Sequence, residues 1–351
     1  MTTRLLIYGA NGYTGEMIAR AAAAQGLSPI LAGRSEPAVA ALARELGCEF
    51  RVFGLANPSA VAAGLAGCRV VIHCAGPFSA TAAPMMAACI AAHVHYTDIT
   101  GEIDVFELGF QQDAAARQAG IVVCPGVGFD VVPTDCIALT LKQVMPDATR
   151  LALGFDSRSR MSRGTASTSV AGLGYGSRVR EGGAIRRIPF GSRSRNIDFG
   201  AGMKLATAIP WGDVSTAYRT TGIPDIEVYV PVSPAALANL RRLGRLGWLL
   251  RRRSVQAIMK WRIRKGAPGP SALEREKTPV HVWGEVRDAT GRTKIARVRV
   301  PNGYTVTTDA AVAIARRLLE SAASPGFTTP ARLMGADFVA RLPGATQISV
   351  E

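Results

Sequence analysis

The chain has 351 residues, 48% of them hydrophobic and 19% charged, which is enough for two domains with sizeable cores and excludes a disordered chain. Its net charge of +15 comes from 41 Lys and Arg against 26 Asp and Glu, yet aromatics make up only 6% and do not interleave with the basic residues in the N-terminal half, which argues against a nucleic-acid partner. No apolar run reaches the roughly 18 residues of a membrane span, and the N-terminus lacks the ordered regions of a signal peptide, so a cytoplasmic protein is expected.

Residues 4–9 (RLLIYG) form a short apolar run ending in glycine, the pattern of a buried strand. An Ala-rich stretch with helical spacing follows over 12–25, then a strand over 28–33 and a helix over 37–46 with Ser35 as N-cap. The alternation continues with a strand over 48–53, a helix over 58–65, a strand over 69–75, a helix over 81–92, a strand over 95–99, a helix over 102–119 and a strand over 121–124. Near-continuous apolar strands alternating with helices predict a parallel sheet covered on both faces. Right-handed crossovers then give the order 3-2-1-4-5-6, with a crevice at the carboxyl ends of strands 1 and 4.

The rhythm changes after Pro133. A helix over 134–144 leads to a strand near 150–156 and a loop of Arg, Ser and Gly over 157–164. Later strands, at 226–230, 280–287 and 294–300, alternate in polarity, and Ala289, Thr290 and Gly291 make a hairpin turn between the last two. The expected fold class is therefore α/β: a Rossmann doubly wound parallel sheet plus a second α+β domain with a mainly antiparallel sheet. The expected domains are 1–132, 133–325 and a C-terminal segment, 326–351, that packs back on the first.

Between the first strand and first helix the sequence reads GANGYTG, giving Gly9, Asn11, Gly12, Tyr13, Thr14 and Gly15 in a GxxGxxG pattern. Glycine at such a turn lets the backbone approach a pyrophosphate, and the helix N-terminus offers free N–H donors. After the second strand come Gly33, Arg34 and Ser35, with no acid to bind a ribose 2′-hydroxyl. A guanidinium and a hydroxyl there suit a 2′-phosphate, so the cofactor expected is NADP(H). At the end of the fourth strand, Ala75, Gly76, Pro77 and Phe78 form a turn expected to pass the pyrophosphate and nicotinamide ribose. Phe78 reads equally as a wall of that pocket or as core.

Asp98 at the end of the fifth strand and Asp130 just past the sixth are each candidates to bind substrate or relay a proton. The competing reading makes Asp98, Thr100 and Glu102 a helix cap. Hydroxyl-rich helix starts at Ser162–Thr165 and Trp211–Asp213 read either as caps or as seats for an anionic substrate group. His73 reads as a core histidine, and His93 and His95 lack the spacing of a helical metal pair. Six cysteines without a CxxC pair are expected to be reduced and buried, and no metal is expected.

With these residues the chain resembles the saccharopine dehydrogenase-like oxidoreductases, in the branch that holds the trans-acting enoyl reductases. The resemblance rests on YGANGYTG, LAGRS, VVIHCAGPFS, CIAAHVHYTDITGE and GVGFDVVPTD. Farther on it rests on RGTASTSVAGLGYGSRVREGG, IPWGDVSTAYRTTGIPDIEVYV and FTTPARLMGADFVARL, so that it runs along nearly the whole chain. It implies an NADP(H)-dependent enzyme moving hydride to or from a small or lipid-like substrate (enoyl, carbonyl or imine) in a cleft between the domains. It does not imply saccharopine as substrate. A non-catalytic NADP(H)-binding sensor is the alternative.

Ten of the residues in 241–265 are Arg or Lys and none is acidic, with Leu243, Leu246, Leu250, Ile258 and Trp261 at helical spacing. This basic amphipathic segment reads as a surface helix of the fold, as a peripheral membrane contact, or as a dock for an acidic partner.

Overall fold

Strand β1 (Arg4–Tyr8) is buried along almost its whole length because both of its faces are covered by helices. It is followed by α1 (Tyr13–Ala24), β2 (Ile30–Gly33), α2 (Glu36–Leu46), β3 (Phe50–Val52), α3 (Pro58–Leu65) and β4 (Cys68–His73). Then come α4 (Phe78–Ala91), β5 (His95–Asp98), α5 (Ile103–Gln111), α6 (Asp113–Gln118) and β6 (Val122–Cys124). A computed structural model describes residues 4–172, 174–245 and 247–351.

The expected helix over 102–119 is two helices, broken at Gln112. The break sets Asp113 where its carboxylate accepts the backbone N–H of Phe327 at 2.7 Å, so the interruption anchors a distant strand.

The second half contains α7 (Val132–Val144), β7 (Arg150–Asp156), α8 (Arg163–Gly172), β8 (Ser177–Glu181), β9 (Ala184–Ile188), β10 (Ser194–Asp198) and β11 (Met203–Ala208). It continues through α9 (Asp213–Thr221), β12 (Asp225–Pro231), α10 (Pro234–Arg245), α11 (Gly247–Leu250), α12 (Arg253–Lys265), α13 (Ala272–Glu276), β13 (Val280–Arg287) and β14 (Thr293–Val300). The chain ends with α14 (Gly303–Glu320), β15 (Gly326–Phe327), α15 (Pro330–Met334) and β16 (Ser349–Val350).

Two compact units result: Met1–Val132 with Tyr304–Met334, and Pro133–Gly303 with Gly335–Glu351. Residues 304–325, assigned to the second domain on sequence, thus group with the first unit, and the segment 326–351 is divided between the two.

The first unit holds a seven-stranded, all-parallel sheet in the order β3-β2-β1-β4-β5-β6-β15. Its first six strands run in the expected 3-2-1-4-5-6 order, and β15 adds an edge strand beside β6 through Gly326 against Val122. Leu6, Ile30, Val71, Met85 and Val123 pack in its core.

In the second unit the sheet is mixed but mainly antiparallel, in the order β10-β11-β12-β7-β13-β14-β16, with β8 and β9 attached at β12. Among the described residues only β12 and β7 of this sheet pair in parallel. Helix α7 crosses this sheet at Gly284, where a Cβ would lie 2.4 Å from the Ile137 side chain. Strands β8 to β11 were not anticipated. The β8–β9 turn is Gly182-Gly183, both with positive φ, which is the two-residue dipeptide that hairpins favour.

The segment 241–265 is not one helix but parts of α10, α11 and α12. Leu246 lies outside the described residues, as do the side chains of Arg253 and Arg264.

Candidate functional site

The chain leaves β1 through Gly9 at φ +81°, and the N–H groups of Gly9 and Ala10 both donate to the Ala32 carbonyl, at 2.7 and 3.1 Å. A Cβ on Gly9 would lie 2.9 Å from Ala75, and one on Gly15 would lie 2.2 Å from the Gly9 carbonyl oxygen. Both glycines are therefore required for the turn to close this tightly. Gly12 caps α1 without any side-chain hydrogen bond, and Asn11 and Gly12 are exposed. The cap residue thus brings no side-chain acceptor to the start of α1, which suits an anion seat.

At the end of β2, Gly33 lets the Asn11 side chain approach: a Cβ there would lie 3.0 Å from Asn11 Oδ1. Arg34 and Ser35 are both exposed. Ser35 caps α2 without a side-chain hydrogen bond, and among the described residues Arg34 forms no ion pair. A guanidinium and a hydroxyl are therefore free for a 2′-phosphate, and no carboxylate competes for the cation.

Past β4, the turn Ala75, Gly76, Pro77 and Phe78 is fixed from several sides. Cys74 N–H donates to the Tyr8 carbonyl at 2.7 Å, and the Thr81 hydroxyl donates to the Ala75 carbonyl at 2.7 Å. The Glu102 carboxylate accepts the N–H groups of Phe78 and Ser79, each at 2.9 Å, so it caps α4 rather than its own helix. Gly76 and Pro77 are exposed. Phe78 is partly buried against the core and meets the His73 ring edge-on at 5.4 Å. Burial pushes the His73 imidazole down to about 3, so it stays neutral, with Nε2 3.0 Å from the Thr81 hydroxyl.

Asp98 ends β5 and Asp130 lies past the neighbouring β6, but the two have different surroundings. Asp98 is fully buried. Its carboxylate accepts the Tyr96 hydroxyl at 2.6 Å, the Thr100 N–H at 3.0 Å and the Gly126 N–H at 2.8 Å. Burial raises its pKa to about 6 against the pull of those three bonds. It ties the end of β5 to the segment after β6.

Asp130 is half-buried, and burial alone pushes its carboxyl up to about 7. It lies over Gly101, where a Cβ would fall 2.6 Å from Asp130 Oδ2. The adjoining Phe129 N–H donates to the Thr307 hydroxyl of α14 at 2.9 Å, and a Cβ on Gly128 would lie 2.8 Å from the same side chain. Tyr304, one turn earlier on α14, meets Tyr13 of the cradle edge-on at 5.2 Å. Tyr304 and Thr307 were missed on sequence, where the run YTVTTD carried no recognisable motif.

The other sequence candidates bond internally. Ser162 caps α8 by accepting the Thr165 N–H at 3.3 Å, and Asp213 accepts the Thr134 hydroxyl at 2.7 Å. His93 bonds the Ala119 carbonyl and His95 accepts the Val122 N–H. All six cysteines are free thiols. A cavity of about 490 Å³ in the second unit is lined by five arginines and four acids. Arg195 forms a bidentate pair with Glu285 at 2.9 and 2.8 Å, and Arg193 pairs with Glu181 and Glu227. Its charges are therefore largely matched from within, unlike that of Arg34.

The sequence profile of the saccharopine dehydrogenase NADP-binding domain matches residues 5–124. A trans-acting enoyl reductase of Mycobacterium leprae is 31% identical over 157 residues, covering 41% of this chain and 37% of that protein. The human saccharopine dehydrogenase-like oxidoreductase is 27% identical over 153 residues, covering 37% of this chain and 35% of that protein. The chain thus matches only about a third of the length of these curated relatives, and the sequence likeness covers far less of the chain than its motifs suggested. The apo saccharopine dehydrogenase (L-Glu forming) of Saccharomyces cerevisiae superposes with a TM-score of 0.65 over 99% of each chain, at 10% identity, which shows a shared fold. Residues 5–124 thus match the NADP-binding domain of the saccharopine dehydrogenases, and the Gly9–Gly15 cradle and Arg34 lie within that stretch.

Proposed function

We propose that the protein is an NADP(H)-dependent oxidoreductase that reduces an enoyl, carbonyl or imine group on a small or lipid-like substrate, with Asp130 as the proton donor. When bound, the cofactor supplies the hydride. The backbone of Gly9 to Gly15 seats its pyrophosphate, and Arg34 with Ser35 holds the 2′-phosphate. The observation that carries the proposal is the state of Asp130. Its carboxyl is raised to about 7 by burial and lies against a glycine at the carboxyl end of the parallel sheet, on the same edge as the cradle. A carboxyl tuned to that range is protonated often enough near neutrality to deliver a proton as the hydride arrives, and water then restores it. Asp98, with three internal donors, positions the loops around it.

The test is NADPH consumption, followed by absorbance, against a panel of enoyl thioesters, ketones, aldehydes and cyclic imines. Turnover with one class identifies the substrate. If the protein binds NADPH yet oxidises it with none, the reading gives way to that of a non-catalytic NADP(H) sensor.

A further inference from the structure

The excess positive charge of this protein is confined to one unit. The first unit carries 10 Lys and Arg against 12 Asp and Glu, and the second 31 against 14. Ten of those 31 fall in 241–265, where there is no acidic residue.

Burial along α12 separates its side chains into two stripes. Val255, Met259 and Ile263, spaced by four, are partly buried and form the inward stripe. Ile258, Trp261, Arg262 and Lys265 are exposed and form the outward one. Ile258 is 57% exposed and Trp261 53%, on the face where a helix of a water-soluble surface carries polar groups. The preceding helices repeat the arrangement: Leu243 on α10 and Trp248 on α11 are exposed, at 45% and 55%. Cations sit over both indoles, Arg252 at 5.1 Å from the Trp248 ring and Lys265 at 3.7 Å from that of Trp261.

Outward tryptophans and aliphatic side chains set among unopposed arginines match an interface that is apolar below and anionic at its surface. A polyanion without an apolar layer, such as a nucleic-acid duplex, would use the arginines and leave Ile258 and Leu243 in water. No described helix is long and apolar enough to cross a membrane, so the contact is peripheral. We propose that α10, α11 and α12 form a docking surface for an anionic lipid bilayer, with Trp248, Ile258 and Trp261 entering the headgroup region and Arg242, Arg251, Arg252 and Arg262 facing lipid phosphates.

The full chain is sedimented with phosphatidylcholine vesicles, with and without phosphatidylglycerol, at low and physiological salt. It should pellet only with the anionic vesicles, less at higher salt, and its tryptophan emission should shift to the blue. Each basic residue near such a surface contributes roughly fivefold to partitioning, so changing the four arginines to Gln should lower it at least a hundredfold. Trp248→Ser with Ile258→Ser and Trp261→Ser should abolish both pelleting and the blue shift. NADPH binding by the first unit, unchanged in both variants, reports that they fold. A chain that stays in the supernatant with anionic vesicles at low salt overturns the proposal. So does pelleting that survives the serine changes, or equal retention by a DNA duplex, since either marks a surface that reads charge alone.

Discussion

Gly15 on α1 and the carbonyl of Gly9 approach so closely that a single methyl group on Gly15 would lie 2.2 Å from the oxygen. The neighbour is backbone, which cannot rotate away, so the start of the helix must move. Gly15→Ala is expected to cost about 1–3 kcal/mol of stability and to weaken NADPH binding, because the N–H groups that seat the pyrophosphate shift with the helix. Thermal unfolding and fluorescence titration with NADPH measure the two effects. An alanine variant that matches the parent in both would contradict the close approach.

Arg34 is exposed beside Ser35 and, among the described residues, has no carboxylate partner. Arg34→Ala should lower NADPH affinity at least tenfold, as expected for a charge-assisted bond of about 1.5–3 kcal/mol. NADH affinity should change little, since NADH lacks the phosphate. Equal losses for both cofactors would place Arg34 elsewhere in the site.

The pKa of Asp130, near 7, gives the rate and the stability each a pH dependence. As proton donor it must be protonated, so kcat/KM for reduction should fall tenfold per unit above about pH 7. Asp130→Asn should lower the rate about 10²–10⁴-fold and remove that limb. For stability the folded-state pKa lies above the unfolded one. The contribution of Asp130 is then greatest below about pH 4 and is lost as pH rises through 7. The Tm of Asp130→Asn relative to the parent should therefore rise between pH 4 and pH 7 and level off above. A difference that falls over this range would mean the carboxylate is stabilised in the fold, against the present assignment.

Asp98→Asn tests the opposite role. The amide would present a donor to the Tyr96 hydroxyl or to the N–H groups of Thr100 and Gly126. A loss of about 1–3 kcal/mol is expected, seen as a lower urea midpoint, with the pH limb of the rate unmoved. A shift in that limb would make Asp98 the titrating group.

These two aspartates show where sequence reading stopped. Asp98 ends one strand of the parallel sheet and Asp130 lies just past the next; what separates them is the full burial of Asp98 and the Gly126 N–H that reaches it from beyond β6, beside the nearby donors of Tyr96 and Thr100. The cradle was legible because Gly9, Gly12 and Gly15 lie within one strand–turn–helix. The six-strand order was legible for a similar reason, since each strand is a continuous apolar run followed by its own crossover helix. Strands β8 to β10 are short and Arg-rich, reading SRVRE, AIRRI and SRNID, so they lacked the apolar alternation that marks a strand. Only the Gly182-Gly183 pair signalled a hairpin. In 241–265 the spacing of Ile258 and Trp261 was visible, but not that they point outward, which depends on the neighbours of α12.

The contribution of α14 and β15 to the first unit bears on how the chain is made. The Phe327 N–H that meets Asp113 closes a bond across 214 residues, and Thr307, which holds Phe129, is separated from it by 178. At a synthesis rate of roughly 5–20 residues per second, β6 waits on the order of 10–40 s for its neighbour. In that interval it is the bare margin of a growing sheet, with unpaired backbone groups that invite pairing with another nascent chain. The whole of 133–303 must emerge before the nucleotide-binding unit can be completed, and the last piece of the second unit, Gly335–Glu351, emerges only after that.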